Sequence, residues 1–71
     1  MLDYQARAKI AKTTQANDRW RHRKTGNIVV VIGRKGRFDV LLRHESGRET
    51  SKQDHYLASD YEPVNQDAQV D

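Results

Sequence analysis

The feature that most constrains this chain is residues 28–32, a run of five β-branched side chains. Such side chains lose rotamer freedom in a helix and fit a pleated strand well. A run that is apolar at every position is typical of a strand buried on both faces. We therefore predict that it forms the central strand of a sheet. We also predict that Val30→Asp unfolds the domain, because a carboxylate there has no partner.

Glycine-bearing turns divide the neighbouring sequence into short strands, which predicts an antiparallel meander. In the strand after the second turn, Phe38, Val40 and Leu42 alternate and are expected to share a core face. The predicted turns are residues 24–27, 33–36 and 45–48, and the other predicted strands are residues 20–23, 37–43, the polar edge strand 49–52 and the last strand 61–64.

Helical signals flank this meander. Residues 3–14 contain three alanines and several long, straight side chains, and Asp3 is suited to an N-cap, so we predict a short, lightly docked helix. Residues 53–57 predict a single helical turn. Residues 65–71 lack apolar periodicity and predict a disordered acidic tail. The predicted division is a helix and linker over residues 1–19, a β domain over 20–64 and the tail over 65–71.

Short strands joined by tight turns, with one helical turn before the last strand, are the layout of the SH3-like small barrels. Residues 20–27, 28–32, 56–57 and 61–64 resemble a family of small bacterial and phage proteins. Those proteins open such a barrel with a W-x-H-x-x-x-G-like hairpin and close it with an aromatic-rich turn. The resemblance implies an SH3-like barrel of four to five antiparallel strands over residues 20–64, and it implies no activity. The chain departs from the family in its tight GRKG turn and in a fourth strand without apolar residues.

The composition indicates a small soluble domain. Of 71 residues, 35% are hydrophobic and 32% charged, and none is cysteine. A core of this size depends on packing and hydrogen bonds, and a homo-oligomer remains open as a further source of stability. No apolar run approaches the ~20 residues of a membrane span, and the first residues lack the apolar segment of a signal peptide. We expect a cytoplasmic protein without membrane association.

Charge is unevenly distributed along the chain. Residues 20–48 carry eight basic and two acidic side chains, whereas residues 49–71 carry one basic and six acidic ones. The basic middle predicts a polyanion partner, above all nucleic acid. Two alternatives stay open: the two parts neutralise each other in the folded domain, or the basic residues form a solubilising surface.

The candidate contacts are basic residues of the first hairpin and the second turn. We expect their side chains to project into solvent, where a guanidinium group can donate two hydrogen bonds to a phosphate. Tyr56 and Phe38 are candidates for base stacking, with core packing as the alternative, whereas Trp20 and Tyr61 are expected inside the core. The predicted nucleic-acid-binding residues are Arg21, Arg23, Lys24, Arg34, Lys35 and Arg37.

No catalytic or metal-binding pattern is indicated. Asp39, His44 and Ser46 supply the residue types of a triad, but they lie on one hairpin without a buried cleft. Residues 33–36 lack the GK[ST] ending of a phosphate loop. Metal-ligand spacing is also missing from the histidines, which are His22, His44 and His55.

The sequence therefore predicts a non-enzymatic accessory or regulatory protein that binds nucleic acid and needs no cofactor and no metal. The alternative is a protein-interaction module, such as a phage-type inhibitor or adaptor of a host protein. In that case the edge strand and the N-terminal helix recruit a larger protein.

Overall fold

The computed structural model describes residues 3–64, and the predicted tail at residues 65–71 lies outside this range. Its elements are α1 (Tyr4–Thr13), β1 (Arg19–His22), β2 (Ile28–Lys35), β3 (Asp39–His44), β4 (Glu49–Gln53), α2 (Asp54–Asp60) and β5 (Tyr61–Pro63). The mainly β architecture predicted from the sequence is confirmed.

The five strands form one antiparallel sheet in the order β4-β3-β2-β1-β5. β2 lies at its centre, as the β-branched run predicts, and the polar strand β4 lies at an edge, as its composition predicts. β5 forms the other edge, where a proline such as Pro63 is tolerated. Within residues 3–64 the two edges do not pair with each other. The sheet is therefore open, and the expected SH3-like barrel is not confirmed.

A β-bulge in β2 changes which face its last residues occupy. Val31 lies opposite Leu42, but the next paired residue, Gly33, lies opposite Leu41, so β2 contains one extra residue at this point. Side chains alternate between the faces of a strand, and the extra residue reverses that alternation. Arg34 therefore lies on the face opposite to the one that simple alternation gives.

The second turn begins later than predicted. β2 continues through residues 33–35, and the turn occupies residues 36–38, where Gly36 adopts a φ of 71°. A φ in this range favours glycine because it has no Cβ. Phe38 is thus part of the turn, and its side chain is exposed. The prediction that Phe38 shares a core face with the residues of β3 is wrong.

Both helices contribute to a core on one face of the sheet, which we call the covered face. The core consists of Ala11, Trp20, Val29, Val31, Val40, Leu42, Leu57, Ala58 and Tyr61. The other face, which we call the open face, carries the half-buried side chains of Ile28, Val30, Ile32 and Leu41. Trp20 and Tyr61 are buried as predicted. The prediction that β2 is buried on both faces is wrong within residues 3–64, since both helices pack on the covered face.

Polar contacts anchor α1. The Oδ1 of Asp3 accepts a hydrogen bond from the backbone N of Ala6 (2.9 Å), which confirms the predicted N-cap. The buried Arg7 donates from Nε to the carbonyl of Ala58 in α2 (2.7 Å). α1 is thus firmly docked, and α2, with seven residues, is longer than the single turn expected. Neither helix of residues 3–64 is long and apolar enough to cross a membrane.

A chain of hydrogen bonds joins Trp20 to the segment that follows α1. The indole Nε1 donates to Thr14 Oγ1 (3.0 Å), and the Thr14 hydroxyl donates to Asp18 Oδ2 (2.8 Å). The same carboxylate oxygen accepts a hydrogen bond from the backbone N of Gln15 (2.9 Å). Trp20 and Thr14 are buried. The chain therefore satisfies an indole donor whose desolvation is costly without a partner.

Substitutions at adjacent β2 positions distinguish the two faces. Val31→Asp is expected to unfold the domain, because an unpaired carboxylate in the core costs about 4 kcal/mol or more, comparable to the whole stability of so small a domain. Val30→Asp is expected to stay folded, since Arg19 and Arg43 lie on either side of this open-face position. Circular dichroism with thermal melting measures both variants. Unfolding of Val30→Asp but not of Val31→Asp contradicts the assignment of the faces.

Candidate functional site

The structure divides the six predicted contact residues into two groups near opposite ends of β2. The first basic group, at the β1–β2 hairpin, consists of Arg21, Arg23 and Lys24, and the second, around the β2–β3 turn, consists of Arg34, Lys35 and Arg37. β2 has eight residues, and an extended strand of that length spans about 23 Å. The six residues therefore do not form a single patch.

Carboxylate and carbonyl oxygens engage most of the first basic group. Arg21 donates from Nε and Nη2 to Glu62 Oε2 (3.1 and 2.8 Å), and Arg23 donates from Nη1 to the carbonyl of Ser59 (3.0 Å). A cleft of about 510 Å³ beside them is lined by His22, Arg23, Lys24, Ser59, Asp60 and Glu62. Because two of these six side chains are carboxylates, a phosphate in the cleft meets repulsion as well as attraction. The first basic group is thus a poor polyanion site.

His22 and Tyr61 fix the inner side of this hairpin. Their ring centroids lie 4.9 Å apart in an edge-to-face arrangement. The Nδ1 of His22 accepts hydrogen bonds from the backbone N atoms of Lys24 (3.1 Å) and Thr25 (3.3 Å). Burial, with a smaller contribution from the charge of Asp60, raises the pKa of the Tyr61 hydroxyl above its ordinary value of 10.0. The phenol is therefore protonated at neutral pH, and both rings serve the packing of the hairpin.

Arg34 holds three segments together from the covered face. Its Nη1 donates to the carbonyls of Ala11 (3.0 Å) and Thr14 (3.3 Å) at the end of α1, and its Nη2 donates to the carbonyl of Arg37 (3.4 Å). The buried carboxylate of Asp54 lies 3.9 Å away, and the Arg34 side chain is 24% exposed. A cation at this position also stabilises the negative end of the α1 dipole. The prediction that Arg34 projects into solvent is wrong, because the bulge turns it inward.

The side chains exposed at this end include two cations and two rings. Lys35 and Arg37 are exposed, and neither forms an ion pair within residues 3–64. Phe38 is 55% exposed and Tyr56 is 57% exposed, so the alternative of core packing is wrong for both rings. We call these four residues the basic-aromatic end.

A backbone hydrogen bond brings the two rings to the same end of the molecule. The carbonyl of Phe38 accepts from the backbone N of Asp54 (2.9 Å), the first residue of α2. Tyr56 lies two residues further along that helix, with its ring centroid 4.4 Å from that of His55. The β2–β3 turn and the first turn of α2 therefore present one ring each at the end of the molecule that carries Lys35 and Arg37.

The structure does not bring the residues of the possible triad together. Asp39 begins β3 and His44 ends it, which separates them by about 17 Å along an extended strand. The Nε2 of His44 lies 2.9 Å from Thr50 Oγ1. In the part of the chain that the structure describes, no three His, Cys, Asp or Glu side chains are grouped so that they could hold a metal ion.

Simple alternation along the strand predicts the wrong face for Arg34, although the sequence contains a signal of the bulge. A glycine inside an apolar strand indicates a bulge, and Gly33 is such a glycine. The proximity of Phe38 to α2 has no comparable local signal, because it depends on where the helix begins in space.

Comparison of the chain with protein-family models, curated protein sequences and solved structures finds no match. The resemblance to small bacterial and phage proteins therefore stays a prediction. What the site does is inferred below from its geometry and charge.

Arg34→Met tests the role of the inward-facing guanidinium. We expect it to lower the free energy of unfolding by about 2–3 kcal/mol, because it leaves helix-end carbonyls and the buried Asp54 carboxylate without this donor. The adjacent exposed residue provides the matched control, Lys35→Met, which is expected to change stability by less than about 0.5 kcal/mol. Urea denaturation measures both variants, and equal effects contradict the anchoring role.

Proposed function

We propose that this chain is a non-enzymatic accessory protein that binds single-stranded nucleic acid through its basic-aromatic end. The observation that carries the proposal is the exposure of two rings beside two cations that are not engaged by carboxylates of residues 3–64. Cations that contact phosphates and rings that stack on bases are the two components of single-strand recognition.

Contacts that fix the β2–β3 turn favour a binding role for the basic-aromatic end over a merely solvated surface. The turn is held from below by the contact of Arg34 with the Arg37 carbonyl and laterally by the Phe38–Asp54 backbone hydrogen bond. A turn positioned in this way loses less conformational entropy on binding. A single strand is favoured over a duplex because its bases are free to stack on Phe38 and Tyr56, whereas duplex bases already stack on each other.

Removal of the two exposed cations tests the electrostatic part of the proposal. We expect the wild type to bind a labelled single-stranded oligonucleotide, with a slope of log Kobs against log salt of about −1.4 for two phosphate contacts. Lys35→Gln combined with Arg37→Gln is expected to lose most of the binding, because both cations of the basic-aromatic end are then removed. Fluorescence anisotropy across a series of salt concentrations measures both.

The matched control removes the same charge at the opposite end of β2. Lys24→Gln combined with Arg48→Gln is expected to keep most of the affinity, since both side chains are exposed near the start of β2. A control that loses as much affinity as the first variant means that net charge, and not the basic-aromatic end, drives binding. A wild type that binds neither single-stranded DNA nor RNA at low salt overturns the proposal.

Phe38→Ala tests the stacking part. Loss of one stacked ring costs about 1–3 kcal/mol, so the affinity for a single strand should fall roughly 5- to 150-fold while the salt slope stays unchanged. The control is Tyr4→Ala, which removes an exposed ring from α1 and is expected to leave binding as it is. Anisotropy titration measures both, and equal affinities of Phe38→Ala and wild type would show that the ring takes no part.

The open face favours a second candidate function, the protein-interaction module. Its four aliphatic side chains, Ile28, Val30, Ile32 and Leu41, are half-buried on a sheet face that neither helix covers. The sheet face thus joins the edge strand β4 as a candidate surface and replaces the N-terminal helix, since α1 already packs on α2 through Arg7. If this chain captures a protein from a lysate, and nuclease treatment does not abolish the capture, the result favours this candidate.

A further inference from the structure

The open face differs from an ordinary solvated sheet face. An antiparallel sheet with one face in water commonly alternates apolar residues inward with polar residues outward. In β2 the outward positions before and at the bulge are Ile28, Val30 and Ile32, all β-branched and all half-buried. Leu41 extends this apolar stripe onto β3, where a shallow groove of about 260 Å³ runs towards β4. The stripe therefore has the composition of an interface.

Charged pairs border the stripe on both sides. Arg21 and Glu62 pair across β1 and β5 (2.8 Å), and Arg43 and Glu49 pair across β3 and β4 (2.8 Å). Glu62 and Glu49 offset the charges of Arg21 and Arg43, so these pairs do not attract a polyanion or an anionic membrane, although Arg19 adds a cation beside Val30. Each border instead carries both signs of charge.

We infer that the open face binds a second copy of this chain, face to face, about a two-fold axis. Such an axis places like patches against each other, so a surface must be complementary to itself. The open face meets that condition, because a border containing a cation and a carboxylate can pair with the corresponding border of the other copy. The aliphatic stripes of the two copies then cover each other, and the run of residues 28–32 becomes buried on both faces.

The size of the face sets the strength of the association. Strands of three to eight residues, about 4.8 Å apart, give roughly 400 Å² of flat area per copy. Two such faces give an interface below the standard size of specific ones, so we expect a weak dimer. Arg37, Phe38 and Tyr56 lie outside β2, whereas Lys35 is its last residue and lies at the margin of the open face. None of the four belongs to the apolar stripe, so association and nucleic-acid binding are tested with separate variants.

Sedimentation equilibrium of the full chain from about 5 µM to 1 mM tests the inference. The wild type is expected to change from monomer to dimer over this range, whereas Val30→Asp stays monomeric, because a carboxylate in the stripe must be desolvated against an apolar partner. Gln5→Asp places the same charge on an exposed position of α1 and is expected to dimerise like the wild type.

NMR of the wild type provides a readout that does not depend on a folded variant. The methyl signals of Ile28, Val30, Ile32 and Leu41 are expected to shift with concentration, while those of the core residues Val31 and Leu57 stay constant. A wild type that remains monomeric at 1 mM overturns the inference and leaves the face to a different protein. Dimerisation without shifts at the stripe, or dimerisation of folded Val30→Asp with wild-type affinity, also overturns it.

Discussion

The arrangement of the helices and of the second turn depends on one guanidinium group. Arg34 donates to two carbonyls at the end of α1, reaches the carbonyl of Arg37 in the turn and lies near the Asp54 carboxylate of α2. Three segments that are distant in sequence thus meet at one side chain. The β-bulge makes this possible, because without the extra residue Arg34 would point away from both helices. The β-bulge in β2 therefore helps to position the two helices that cover the sheet.

The uneven charge of the sequence is partly neutralised in the fold. Within the described residues 3–64, the basic middle and the acidic last third meet in three ion pairs: Arg21 with Glu62, Arg34 with Asp54 and Arg43 with Glu49. Mutual neutralisation, one of the two alternatives to a polyanion site, thus accounts for part of the basic residues. Lys35 and Arg37 remain outside these pairs, and they are the cations next to the exposed rings. Pairing within the fold therefore removes Arg21 and Arg34 from the six candidate contacts, and the carboxylates that line the cleft beside Arg23 and Lys24 make those two a poor polyanion site.

Local sequence patterns predicted the helices and strands, but they did not predict how these elements and their side chains are placed in space. The β-branched run, the Asp3 cap and the polar edge strand could be read from neighbouring residues, since each depends on local preference or alternation. Three features could not: the inward turn of Arg34, the exposure of Phe38 and the single covered face of β2. The first follows from the bulge, which one glycine signals only weakly, and the second from the late start of the turn, since β2 continues through residues 33–35. The third was missed because a continuous apolar run indicates that something covers each face, but not which part of which molecule does so.

The hydrogen bond between Trp20 and Thr14 couples the N-terminal helix to the sheet. If α1 separated from the body and carried Thr14 with it, the buried indole N–H would lose its acceptor in an apolar surrounding. Partial detachment of the helix therefore destabilises the core beneath β1, which favours one all-or-none transition over gradual fraying. Trp20 is the only tryptophan of the chain. Its fluorescence therefore reports both the detachment of α1 and the unfolding of the sheet.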